Sequence, residues 1–308
     1  MPFFGRLDAS DMPLISIRGS VAMELWGNAL LGGLSVGSMY SLLALGLALM
    51  WATMRIINFA HGDFYVFAGY IFVILFTKLK IPFVLVLVLI CFVMLLVGYL
   101  SDRAIFRPLR RKAHLSILIA TAGLSIAISN SLYLTFGPSP WGASSPFPIK
   151  MLSVLGVGLS LRSLAVMIVG IGMMVIFHLF LSRSFLGLQL RALAQDEDIA
   201  ALMGVNVSRG MILVVGLSAA LAGIAAAFLA PILYVSYYGG VSMMIKGFIA
   251  ATIGGLGSIA GAMVGGLLLG VAESAVGIYL SSGWRDALIY ASLIGLLAYL
   301  PNGIFGRR

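Results

Sequence analysis

An all-helical, multi-pass membrane protein with eight or nine spanning or half-spanning segments is predicted by three observations. Charged residues make up 9% and hydrophobic residues 61% of the 308 positions, with a mean hydropathy of +1.12. Soluble domains carry about 25% charged residues. Uncharged runs cover 25–54, 81–101, 113–149, 163–182, 210–245, 247–272 and 287–306, and each reaches the ~20 residues a helix needs to cross the hydrocarbon core. Cations gather in one short connection, Arg103, Arg107, Arg110, Arg111 and Lys112, with Arg307 and Arg308 at the end. That is how cytoplasmic loops are marked. The 37 glycines suit helices that approach closely in lipid.

The same distribution excludes other classes. A net charge of +9 could suggest nucleic acid, but clustering beside apolar runs assigns the cations to membrane orientation, and no nucleic-acid partner is expected. The lone Cys91 excludes an intrachain disulfide framework. Residues 1–24 include Asp8, Asp11 and Glu24 and lack a continuous apolar core. They read as an N-terminal extension rather than a cleavable signal, which leaves 25–306 as a single transmembrane domain.

The elements follow in order from the charges. With 102–113 placed in the cytoplasm, 81–101 runs inward and 114–136 outward. The segment 137–161 is then an extracytoplasmic, non-helical cap, as its Gly137-Pro138-Ser139-Pro140 run suggests. Helix 163–182 returns, 183–209 lies in the cytoplasm, and 211–232 leads out again. Three further candidates, 243–257, 259–279 and 286–302, bring Arg307 and Arg308 back inside. The first is short and carries Gly254-Gly255-Leu256-Gly257-Ser258, so it reads as broken or tilted. Working backwards, 62–77 runs outward and 29–51 inward. Interrupted segments at 55–70 and 239–258 raise the possibility of an inverted repeat with a site at its interface.

Four places carry candidate chemistry. The first is Asn58, Phe59, His61, Gly62 and Asp63, a polar break among apolar spans. Lipid offers such a break no partners, so it persists only when enclosed by protein or lining a cavity. Asn58 and His61, three apart, share a helix face, and Asp63 suits the positive N-terminus of the helix that follows. Helix caps and a headgroup-level histidine are the plainer alternative. The second place is Lys246 with Gly254, Gly255, Gly257 and Ser258, where the lysine could equally snorkel to the interface. The third is Glu273, the only acid between Lys246 and Asp286. A carboxylate inside a span is costly and calls for a partner, structural or functional. The fourth is the cytoplasmic segment around Arg191, Gln195, Asp196, Ala200 and Gly204. One amphipathic helix is expected over 189–203, with Leu193, Ile199, Leu202 and Met203 as its apolar stripe, suited to docking a partner or to resting on the membrane.

These motifs resemble the inner-membrane permeases of branched-chain amino acid ABC importers, of the LivH type. The resemblance covers most of 28–305. It is carried by M-R-I-I-N-F-A-H-G-D-F at 54–64, R-A-L-A-Q-D at 191–196 with Ala200 and Gly204, and K-G-F-I-A-A-T-I-G-G-L-G-S-I-A-G-A at 246–262, extended by Gly265, Gly266, Gly270 and Glu273. It implies a multi-pass subunit of a bacterial inner membrane that forms half of a translocation pathway. Its partners would be a second related permease of the LivM type, two cytoplasmic ATPases coupled through 191–204, and an extracytoplasmic solute-binding protein. It also implies that solute choice lies largely with the binding protein, and that members of the family also handle urea and short amides.

None of the five lysines follows a glycine, so the G-x-x-x-x-G-K phosphate loop is absent. ATP is therefore expected on partner subunits, with no cofactor on this chain. A proton- or sodium-coupled transporter titrating His61, Asp63 or Glu273 is the competing class, and it leaves 191–204 without a role. Enzymatic or metal chemistry is not expected: His61, His114 and His178 stand in separate segments without ligand spacing.

Overall fold

The computed structural model describes residues 12–279 other than 111, 149, 155 and 156, together with 287, 289–291, 295 and 303–305. Among them are the helices α1 (Met12–Met54), α2 (His61–Phe72), α3 (Phe83–Ser101), α4 (Arg107–Leu109), α5 (His114–Phe136), α6 (Leu161–Arg183), α7 (Phe185–Gln195), α8 (Glu197–Leu202), α9 (Val207–Leu233), α10 (Gly239–Gly254) and α11 (Ile259–Tyr279). One antiparallel hairpin, β1 (Met151–Val154) and β2 (Val157–Ser160), sits in the loop before α6. Six stretches are long and apolar enough to span: Trp26–Met54, Phe83–Leu109, His114–Phe136, Leu161–Arg183, Val207–Leu233 and Ile259–Ile278. The shorter α2 and α10 complete the polytopic helical bundle. The span expected at 286–302 lies mostly outside the described residues.

Two boundaries differ from the sequence expectation. Helix α1 begins at Met12, so 12–24 continues the first span without a break. Pro13 stands in the first turn, where its missing N–H is not needed. At 43 residues the helix is about 65 Å long, more than twice the ~30 Å hydrocarbon core. The stretch after α3, expected as a loop, stays helical through a π-turn at Asp102–Phe106 into α4. Phe106 is fully buried, and this anchor folds the stretch onto the bundle while Arg103 and Arg107 point outward.

The core is organised around α1, which packs against α6, α9, α10 and α11. Every residue from Gly37 to Met50 is buried, so this stretch is enclosed by protein rather than lipid. The outer helices differ: Val84, Val88 and Phe92 of α3, Ile119 and Ile126 of α5, and Ile168 and Val175 of α6 are exposed, as suits contact with acyl chains. Between apolar helices in apolar solvent, close approach supplies the attraction. Helices α1 and α11 achieve it antiparallel through small residues. A Cβ on Gly37 would stand 2.9 Å from the Gly266 carbonyl oxygen, and one on Gly33 would stand 2.7 Å from Val271 Cα. Ser41 Oγ locks the crossing by donating to the Met263 carbonyl at 2.6 Å.

The two ends of the bundle are chemically distinct. At one, Arg110 pairs with Glu197 at 3.3 Å, and Arg55, His114 and Asp196 share a cavity of about 280 Å³ with them. At the other, Lys78 Nζ lies 3.6 Å from the Trp141 ring centroid, and Trp141 bridges to Val235. By the positive-inside rule the basic end is expected to face the cytoplasm. A protease-sensitive tag inserted at Arg110 is expected to survive protease added to intact cells and to be cut in inverted vesicles. The opposite pattern would reverse the orientation.

Candidate functional site

The polar break at 58–63 lies deep in the bundle. Helix α1 ends at Met54, Arg55 turns the chain with a φ of 55°, and residues 55–60 return toward the interior without helical structure. His61 Nε2 then lies 3.1 Å from the Leu43 carbonyl. Leu43 is eleven residues before Met54, about 16 Å up the helix. Helix α2 therefore starts well inside the bundle and climbs toward the hairpin end. The non-helical backbone at this depth is tolerated because protein surrounds it.

Each polar side chain of the break has its own anchor. Asn58 is fully buried, and its Oδ1 accepts from the Ala60 N–H at 3.0 Å. Phe59 is partly exposed and donates its N–H to Thr121 Oγ1 at 3.3 Å. A carbonyl can only accept, so His61 Nε2 carries the proton toward Leu43, and Nδ1 accepts from Ser218 Oγ at 3.2 Å. His61, fully buried, thus ties α2 to both α1 and α9. Asp63, also buried, lies in the first turn of α2, where a carboxylate suits the helix dipole, and Ser125 Oγ of α5 donates to it.

The second interrupted segment meets the first here. A Cβ on Gly62 would overlap the Gly240 carbonyl oxygen and stand 2.7 Å from the Met244 nitrogen. A Cβ on Gly240 would collide with the Asp63 carboxylate. The N-terminal turns of α2 and α10 are therefore in backbone contact, which only glycine on both sides permits.

Lys246 and Glu273, one helix apart in sequence, form a buried ion pair at 2.7 Å. Lys246 is 6% exposed and Glu273 8%, so the lysine does not reach the membrane surface as snorkelling would require. Lys246 Nζ also donates to Tyr40 Oη at 3.3 Å. Only one carboxylate oxygen of Glu273 is engaged; its Oε2 is buried without a partner.

The glycine cluster behaves differently again. Helix α10 stops at Gly254, and Gly255 and Gly257 adopt φ values of 100° and 89°. Ser258 Oγ accepts from the Gly261 N–H at 3.1 Å, capping α11. Gly257 and Ser258 line a cavity of about 470 Å³ at the basic end with Arg55, Ala194 and Phe305. The residues expected to form one path thus occupy three levels: the α2–α10 junction, the Lys246–Glu273 pair and the basic-end turn. Sequence reasoning missed Tyr40, Ser125 and Ser218, which are ordinary residues of membrane helices. It also passed over Arg162, although a lone cation heading an apolar run is the same signal that drew attention to Lys246.

The segment 184–206 is built as a bracket of two short capped helices rather than one amphipathic helix. Asp196 adopts an extended conformation, φ −160° and ψ 120°, separating α7 from α8, and its Oδ1 accepts from the Asp198 and Ile199 N–H groups at 2.9 Å. Side-chain competition for these backbone donors is why one continuous helix over 189–203 does not form. The expected apolar stripe divides accordingly. Leu193 is 2% exposed and Ala200 3%, whereas Ile199, Leu202 and Met203 are 60%, 86% and 81% exposed. Ser184 caps α7 through the Gly187 N–H and Asn206 caps α9 through the Arg209 N–H. Arg191 Nη2 donates to the Ser182 carbonyl at 3.2 Å, binding α7 to the end of α6. Gln195 is exposed, and Gly204 closes the bracket with a φ of 85°.

Residues 29–297 match the family described as branched-chain amino acid transport system / permease component. The chain is 35% identical over 292 residues to the high-affinity branched-chain amino acid transport system permease protein BraD of Pseudomonas aeruginosa, covering 90% of this chain and 95% of that protein. It is 32% identical over 288 residues to LivH of Escherichia coli K12, a permease protein of the same description, covering 89% and 94%. A probable permease, LivH of Methanocaldococcus jannaschii, is 29% identical over 292 residues, covering 89% and 91%. No solved structure matches.

Proposed function

Since the chain belongs to the family of permease components of branched-chain amino acid transport systems, we propose that it forms half of the translocation path of an ATP-driven importer, worked from its basic end through α7 and α8. The solute is a branched-chain or closely related amino acid, as in the named functions of its relatives. Family membership implies a transporter complex. In our reading its other members are a second related permease, two ATPases seated on the 184–206 bracket and a solute-binding protein at the hairpin end.

The observation that carries this reading is the pair Leu202 and Met203, almost fully exposed on a bracket that buries Leu190, Leu193 and Ala200. Large apolar side chains at the basic end, beside Glu197 and Asp198, gain nothing from water and suit a groove in a partner. Each cap in the bracket contributes about 1 kcal/mol, and the partly exposed Arg110–Glu197 pair adds little. Together they make 184–206 stiff enough to pass a push into α6 and α9. The interrupted segments α2 and α10, meeting at Gly62 and Gly240, are the elements that α9 and α1 would shift against each other.

Substituting Leu202→Asp with Met203→Asp removes no internal packing, so membrane insertion is expected to be normal. Uptake by proteoliposomes holding the assembled transporter is expected to fall at least tenfold, with binding-protein stimulation of ATP hydrolysis lost as well. Wild-type uptake by this variant would remove the bracket from the coupling path.

A further inference from the structure

We propose that the cavity between α1, the start of α6, the end of α9 and α11 is a binding site for a zwitterionic aliphatic amino acid, a waypoint inside the permease itself. The inference rests on the transport reading above and adds to it the part of this chain that touches solute.

Six buried side-chain polar atoms among the described residues have no hydrogen-bond partner: Ser35 Oγ, Asn58 Nδ2, Tyr65 Oη, Tyr70 Oη, Arg162 Nε and Glu273 Oε2. Three of them, from Ser35, Arg162 and Glu273, belong to residues that line one cavity of about 240 Å³. Buried polar groups are nearly always satisfied, so three orphans around one cavity mark a place built for a polar guest. Their chemistry is specific. Glu273 has one oxygen held by Lys246 at 2.7 Å and the other unoccupied, an acceptor suited to an ammonium group. Arg162 makes only a 3.5 Å contact, from Nη1 to the Pro231 carbonyl, and does not pair with Glu273, which leaves it able to take a carboxylate. Ser35 Oγ can complete either shell.

Val36, Ile232 and Leu233 give the wall an aliphatic part, beside the hydroxyl-bearing Tyr40, Ser163 and Ser274. A held acid, an unpaired guanidinium and an aliphatic patch match the three parts of an aliphatic α-amino acid. The volume is below the roughly 300–1,000 Å³ of sites for drug-sized ligands, which suits a small solute. Lys246 on the far oxygen holds the carboxylate in place, so that an arriving ammonium meets a preset acceptor.

Gly32 provides a way to fill the cavity without disturbing helix packing, because a Cβ there would meet only Ser274 Oγ, at 3.9 Å. The probes are leucine, leucinamide, which lacks the carboxylate, and 4-methylpentanoate, which lacks the ammonium. Each is titrated by saturation-transfer NMR into the full-length permease in nanodiscs. Leucine is expected to bind at least tenfold more tightly than either analogue, with Gly32→Leu abolishing that preference and Arg162→Gln removing only the discrimination against leucinamide. Equal binding of the three probes, no binding by the wild type, or an unchanged preference in Gly32→Leu would each overturn the proposal and leave the cavity a place for water. Because the analogue series uses the wild-type chain, a variant that misfolds does not blunt the test. Leucine import by the assembled wild-type transporter is measured in parallel: import without selective binding removes this site alone, whereas no import removes the transport reading.

Discussion

Lys246→Met is expected to destabilise the permease by about 3–5 kcal/mol, because it leaves the Glu273 carboxylate buried without its counter-ion. Lys246 and Glu273 are 6% and 8% exposed and meet at 2.7 Å, so water from the neighbouring cavity would replace the ammonium's hydrogen bond but not its charge. The partner change matters more than the pair itself. A buried ion pair exchanged for apolar residues of similar volume is often neutral or stabilising. The double variant Lys246→Met with Glu273→Leu should therefore recover the thermal stability lost in the single variant. It should not recover transport if the carboxylate receives solute. Thermal unfolding of the purified protein measures the first effect, and a double-mutant cycle isolates the coupling. A single variant as stable as the wild type would mean that the pair is not buried as described.

Gly62→Leu is expected to abolish recoverable folded protein. The added Cβ alone would overlap the Gly240 carbonyl oxygen, a backbone atom that cannot rotate away. Overpacking in a core costs typically 1–3 kcal/mol when side chains can yield; here the α2–α10 contact must separate, which lies beyond that range. Gly123→Leu is the control, since a Cβ at Gly123 meets nothing within 4 Å. Size-exclusion profiles of fluorescently tagged variants should show a monodisperse peak for Gly123→Leu and none for Gly62→Leu. A normal peak for Gly62→Leu would mean that the two interrupted helices do not touch. Whatever Gly62 contributes to a solute path, close approach to Gly240 already requires glycine there.

Much of the fold was legible because lipid makes strong demands on composition. Long uncharged runs locate spans, and the cluster from Arg103 to Lys112 locates the end that carries Glu197. The shortness of 62–77 and 243–257 was equally visible: α2 begins at the polar break, and α10 ends at the glycine run. What sequence pattern could not reveal was which residues meet. Lys246 and Glu273 looked like two separate costs, one resolved by snorkelling and the other by an unnamed partner, and they resolve each other. His61 stood out as a polar residue among spans; that it bonds Leu43 and Ser218, and so joins α2 to α1 and α9, was not legible. The apolar stripe predicted over 189–203 assumed one helical period throughout. Asp196 captures two backbone donors, resets the period, and turns Leu193 inward while Leu202 and Met203 face out.

The amino-acid sequence alone thus determined the class of the protein, its membrane habit and the places where regular structure fails, because transfer of charge and open backbone into hydrocarbon is prohibitive wherever it occurs. Only the tertiary structure decided how those failures are satisfied. Burial in an apolar medium leaves each polar group dependent on one particular neighbour, and that neighbour is set by how the helices cross, through contacts such as Gly62 on Gly240 and Gly37 on Gly266.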